Sequence, residues 1–200
     1  MPRMRILTAS EQEAFSKPPL FNHCERKKFF ALPRALLDMA QNIRSADHQV
    51  GFLVSCGYFR ATRRFFAPTD FESRDVAYVA NQLGYDDVSA RIYPDRTRQR
   101  HQQLILDFYG FSPFDEAAKK VLSVEIITMA RMHLKPRLIF DRCIDFLIQR
   151  RIQVPTVRSL TDMIRAGLQE RKIELVVLMD FHLTYEARTL LDELFTASDD

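Results

Sequence analysis

Glycine is scarce in this sequence, with 5 in 200 residues, and tryptophan is absent. So few glycines argue against a β architecture built on glycine turns. They also leave nothing from which to build a phosphate-binding loop. The 3 cysteines, Cys24, Cys56 and Cys143, are odd in number and widely scattered. Neither a disulfide framework nor a zinc finger is expected from them, and each is read as a small buried hydrophobe. Long apolar runs are missing too, the longest falling far short of the roughly 20 residues of a membrane span. The start "MPRMRILTASEQEAF" becomes charged too early for a signal peptide. A cytoplasmic protein with no membrane contact is expected. His23, His48, His101, His133 and His182 stand apart without metal-ligand spacing, and "GFLVSCG" lacks the glycines of a nucleophile elbow. No catalytic residue, metal or cofactor is assigned, and a nuclease or other enzyme is not expected.

What is present is ordinary globular composition, 46% hydrophobic and 28% charged, in a chain long enough for one large domain or two small ones. The net charge of +3 hides a strong segregation. Residues 91–172 carry 16 Lys/Arg against 9 Asp/Glu, whereas residues 173–200 carry 1 against 7. A basic middle with an acidic tail is the electrostatic footprint of a phosphate-binding surface.

Apolar periodicity predicts an all-α fold. Asn22 followed by Glu25 has the spacing of a capping box. Helices are expected over "LPRALLDMAQNI" and "DHQVGFLVSCGYF", and from Ser73 to a C-terminal glycine at Gly84. A short helix "DDVSARIY" precedes one from about Asp95 to Tyr109. Gly110 and Pro113 mark the internal boundary, giving two helical subdomains, 1–112 and 113–200, with helix-turn-helix-like units. Pro136 and Pro155 divide the second part into three helices. "KIELVVLM" has the period of a short strand but is read as the end of a buried helix or a buried connection. Ala187, Leu190, Leu191, Leu194 and Phe195 form an amphipathic stripe at the end.

Two basic helices are the candidate DNA-contacting elements. In "RIYPDRTRQRHQQLILDFYGFSPF", Arg91, Arg96, Arg98 and Arg100 fall within ten positions, and Asp95 is the one carboxylate among them. On a helix from Asp95, Arg96, Arg100, Gln103 and Asp107 share one face. His101, Leu104, Ile105 and Phe108 share the other, so His101 is read as a packed histidine. In "VPTVRSLTDMIRAGLQERK", Thr156 is the N-cap. Arg158, Asp162, Arg165, Gln169 and Lys172 form a polar stripe opposite Val157, Leu160, Ile164 and Leu168. The preceding helix ends on Arg150 and Arg151, so helix, turn and helix suit a major groove. Arg96, Arg98, Arg100, Arg150 and Arg151 are assigned to phosphates, and Arg91 to the DNA-binding surface without a finer role. Thr156, Arg158, Thr161, Arg165 and Gln169 are assigned to bases or the groove wall. A looser unit, "VANQLGYDDVSARIY", has Ala80 and Gly84 at helix-turn-helix spacing, but Asp86 and Asp87 would repel phosphates. A rival reading is a helical interaction module turning its basic face to an acidic protein.

Six patterns in order carry a resemblance: Leu7, Thr8 and Glu11; Phe30 and Leu32; Gly51, Phe52, Arg60 and Phe65; Val76, Val79, Ala80, Gln82, Leu83 and Gly84; Arg98, His101, Gly110, Phe111 and Phe114; Pro155 and Leu160. Together they resemble the amino-terminal region of the large transposases of the Tn-three type. The resemblance implies recognition of a transposon's terminal inverted repeats as double-stranded DNA. The implied partners are that DNA, the rest of a transposase chain, and a second copy in a full-length homodimer. It implies that the three metal-binding carboxylates lie in a separate ribonuclease-H-like domain, which this chain is expected to lack, ending at "LLDELFTASDD". It supplies no residue map of base contacts, which rests on the helical faces alone.

Overall fold

The computed structural model describes residues 5–86, 88, 95–184, 186–187 and 189–190. Among them the fold is all-α, with nine helices. They are α1 (Ala9–Ser16), α2 (His23–Phe30), α3 (Arg34–Gln41), α4 (Ala46–Thr62), α5 (Ser73–Leu83), α6 (Asp95–Tyr109), α7 (Glu116–Arg131), α8 (Pro136–Gln149) and α9 (Val157–His182). Their starts follow local chemistry. Thr8 and Asn22 each close a capping box with the glutamate three residues on, Glu11 and Glu25. Asp115 and Thr156 each accept a backbone N–H of the first turn. Pro136 occupies the first turn of α8, where its missing N–H costs nothing. Gly84 ends α5 in the left-handed region at φ 75°.

Two apolar clusters organise these helices. In the first, α4 is buried from Val50 to Phe59 on every side, as a helix apolar all round must be. α2, α3, α5 and α6 pack around it. Gly57 lets the Phe30 ring lie directly on the α4 backbone, in space a Cβ would occupy. A buried polar tie joins three of these elements. Asp75 is fully buried, and its carboxylate accepts Arg26 Nε–H at 2.6 Å and the Tyr58 hydroxyl at 2.9 Å. Burial pushes the Tyr58 phenol far above its usual pKa, and the charge of Asp75 adds to it.

The second cluster is the α7–α8–α9 bundle, cored by Leu122, Ile126, Ile139, Phe140, Leu147, Leu160 and Ile164. Ile6, Leu7 and Phe15 belong to it as well. The start of the chain thus packs across the expected 112/113 division, because α1 lies on α9. Gly167 brings α9 against α7, where a Cβ would stand 2.6 Å from Ile126 Cγ2.

Backbone and arginine contacts knit the clusters together. Ser112 pairs with Ile152 in an isolated parallel bridge, and Val154 N–H donates to Arg63 O at 3.0 Å. Arg64 donates to Phe15 O, and its guanidinium lies 3.8 Å from the Phe15 ring centre and 4.9 Å from that of Phe66. Burial lowers its pKa to about 10. No helix among the described residues is long and apolar enough to cross a membrane.

Two expectations change here. "KIELVVLM" is helical, but it is exposed. α9 pairs Glu174 with Arg131, the last residue of α7, so the turns beyond Glu174 overhang the bundle. Val176, Val177, Leu178 and Met179 therefore face outward, and Ile173 just before Glu174 is exposed as well. Cys56 and Cys143 are buried as expected, whereas Cys24 sits on the exposed side of α2. All of "DDVSARIY" but Asp86 and Val88, and the stripe through Leu191, Leu194 and Phe195, lie outside the described residues.

Candidate nucleic-acid interface

On α6 the expected two faces are seen. His101 and Ile105 are buried beneath, while Arg96, Arg100, Gln103 and Asp107 are exposed above. The only polar pair formed on that upper face joins Gln103 to Asp107, at 2.8 Å among the described residues. Neither Arg96 nor Arg100 has an acidic partner among the described residues. His101 meets the Phe52 ring edge-on at 5.4 Å. Burial lowers its pKa to about 4, with His48 and Arg100 nearby adding to the shift. It is a neutral packing residue, as its position on the apolar face predicts. Arg98 is half-buried, off the exposed face, and Arg91 lies outside the described residues.

Arg100 does not stand alone. A groove of about 520 Å³ runs between α6 and the turn joining α3 to α4. Its walls are Met39, Asn42, Ile43, Arg44, Thr97, Arg100, His101 and Leu104. Arg44, on that turn, is exposed. Sequence reading passed over it, because one arginine between two helices has no basic neighbours to mark it. Only tertiary packing of α6 brings it beside Arg100.

The α8–turn–α9 unit is more mixed. Arg150 is exposed, with its guanidinium 4.6 Å from the Phe146 ring centre. Arg151 takes a left-handed φ of 54° and donates to Tyr109 O at 3.2 Å, which commits it to the junction between clusters. Thr156 is exposed, but its hydroxyl accepts Ser159 N–H as the cap. Arg158 and Arg165 lie on either side of Asp162, at 3.8 and 2.9 Å. This one carboxylate halves the positive charge of the Arg158–Arg165 pair. Gln169 and Lys172 are exposed further along.

Thr161 corrects the sequence reading. It is 4% exposed and donates to Arg158 O at 3.1 Å. The inward stripe of α9 is wide enough to take in position 161 between Leu160 and Ile164, so this hydroxyl cannot meet a groove. In the looser α5 unit, Ala80 is buried and Gly84 turns as expected, but its second helix lies outside the described residues. Among the described residues no three His, Cys, Asp or Glu side chains gather as metal ligands would.

A family model described as a domain of unknown function, DUF4158, matches residues 6–167. The chain belongs to this family. The DUF4158 span contains both clusters, the groove with Arg44 and Arg100, and the Arg158–Asp162–Arg165 group. It ends at Gly167, so the overhanging turns of α9 lie beyond it. No curated protein matches the sequence.

Proposed function

We propose that this chain binds double-stranded DNA, as the non-catalytic part of a Tn-three-type transposase that recognises the transposon's terminal inverted repeats. The observation that carries the reading is the upper face of α6. There Arg96 and Arg100 are held in solvent by a buried underside and meet no acid among the described residues. Guanidinium groups so placed suit phosphate oxygens, and phosphate contacts fix a protein's register on a duplex. The ordered patterns that resemble Tn-three-type transposases support the same reading.

In this account α6 supplies backbone contacts, and the start of α9 supplies groove contacts through Arg158, Arg165 and Gln169. Asp162 moderates that second site without abolishing it. An exposed ion pair contributes only about 0–1 kcal/mol, so a phosphate or a guanine edge can exchange for the carboxylate. The chain performs no chemistry of its own, and it acts in the cytoplasm. The test is competition between a labelled inverted-repeat duplex and unlabelled duplexes of native and scrambled sequence. Preferential displacement by the native sequence is expected.

One observation favours the interaction-module reading. The exposed apolar residues of the α9 overhang, Val176, Val177, Met179 and Phe181 among them, are what a protein contact covers. Equal displacement by native and scrambled duplexes would turn the argument toward that reading.

A further inference from the structure

We infer that the groove between α6 and the α3–α4 turn seats one sugar-phosphate strand of the bound duplex, with Arg44 and Arg100 on its phosphates. This rests on the DNA-binding reading and extends it to a site that sequence did not reveal. Three observations converge on it. The two cations come from separate elements and are both exposed, and no acidic residue among the described residues lines the groove. Thr97 lies on the first turn of α6, where the helix dipole also favours an anion. Of the remaining walls, Met39, Ile43 and Leu104 are apolar, beside the neutral polar side chains of Asn42 and His101.

This composition is wrong for a free inorganic anion, which has no apolar surface to offer. It is also wrong for an apolar peptide, which would leave two guanidinium groups buried without partners. A nucleic-acid strand presents both chemistries in alternation, charged phosphates and the carbon faces of its sugars. Contacts of this kind carry no sequence information. The groove therefore strengthens binding to every duplex equally and leaves discrimination to α9.

The experiment measures duplex affinity across salt for the intact chain and four variants, using an inverted-repeat and a scrambled duplex. Arg44→Ala should weaken binding about five- to tenfold near 0.1 M salt and reduce the log–log salt slope by about 0.9. The loss should be the same for both sequences. Arg44→Lys should keep the slope. Met39→Glu, which places a negative charge at a position already partly exposed, should weaken binding more than Arg44→Ala. Arg34→Ala, an exposed arginine of α3 outside the groove, should change nothing. If the intact chain binds and Arg44→Ala has its affinity and slope, the groove assignment is overturned while the DNA reading stands. If the intact chain binds neither duplex, that reading falls and takes the groove with it.

Discussion

Two pairs of arginines flank the first cluster, Arg63 and Arg64 at the end of α4 and Arg96 and Arg100 at the start of α6. The first pair turns inward. Arg63 stacks between Phe59 and Phe111 and donates to the carbonyls of Phe59 and Arg60. Arg64 holds α1 against the α4–α5 connection through Phe15. The second pair turns outward and meets no acid among the described residues. Both stretches, "RATRRFF" and "DRTRQR", carry three arginines. The surroundings differ. Aromatic residues follow Arg63 and Arg64 in the chain, so burying them gains cation–π and packing energy. Arg96 and Arg100 ride on a helix whose opposite face is already apolar, so burying them would expose that face.

This difference makes separable predictions. Inward charges should control stability and leave salt-dependent binding alone, and outward charges should do the reverse. The largest effect is expected at Asp75. Its removal strands Arg26, whose side chain is 14% exposed, together with the Tyr58 hydroxyl. Asp75→Ala should cost about 3–5 kcal/mol in urea unfolding, as for any broken buried ion pair. Next is Arg64→Ala, which removes a charged hydrogen bond and two ring contacts. A loss of about 2 kcal/mol is expected, with the slope of binding against salt unchanged in protein that remains folded.

His101 gives the pH arm of the comparison. Its folded pKa, about 4, lies below the ordinary histidine value of 6.5, so the unfolded chain takes up the proton first. Its contribution is complete above about pH 6.5 and is lost as pH falls toward 4, by at most about 1.4 kcal/mol per pH unit. Urea midpoints measured across that window should fall for the native chain, and His101→Phe should flatten the fall. The smallest measurable loss of stability is expected at Thr156. Loss of its cap in Thr156→Ala should cost about 1 kcal/mol, measured by the same unfolding.

Much of the fold was legible because helix limits are set locally. The capping box at Asn22, the stop at Gly84, α6 from Asp95 to Tyr109 and the cap at Thr156 each depend on residues within a turn of one another. Long-range packing was not legible. Nothing near Ile6 and Leu7 in sequence reveals that they complete a cluster built from residues more than a hundred positions away. Periodicity gave the direction of the α9 stripe but not its width, which is why Thr161 was placed outside. Apolar character alone suggested that Val176 and Val177 are buried, although the α7 helix that would cover them has already ended. The candidate site divided in the same way. Arg96 and Arg100 follow from one helix, whereas their neighbour Arg44 follows only from the fold.

The most direct measurement is the salt dependence of duplex binding by the Arg96→Ala/Arg100→Ala double variant, made alongside its urea unfolding curve. If these arginines contact phosphates, the slope should become shallower by about 1.8, the value for two phosphates released, while the unfolding midpoint stays within error of the native chain. A native slope in a normally folded double variant would contradict the account.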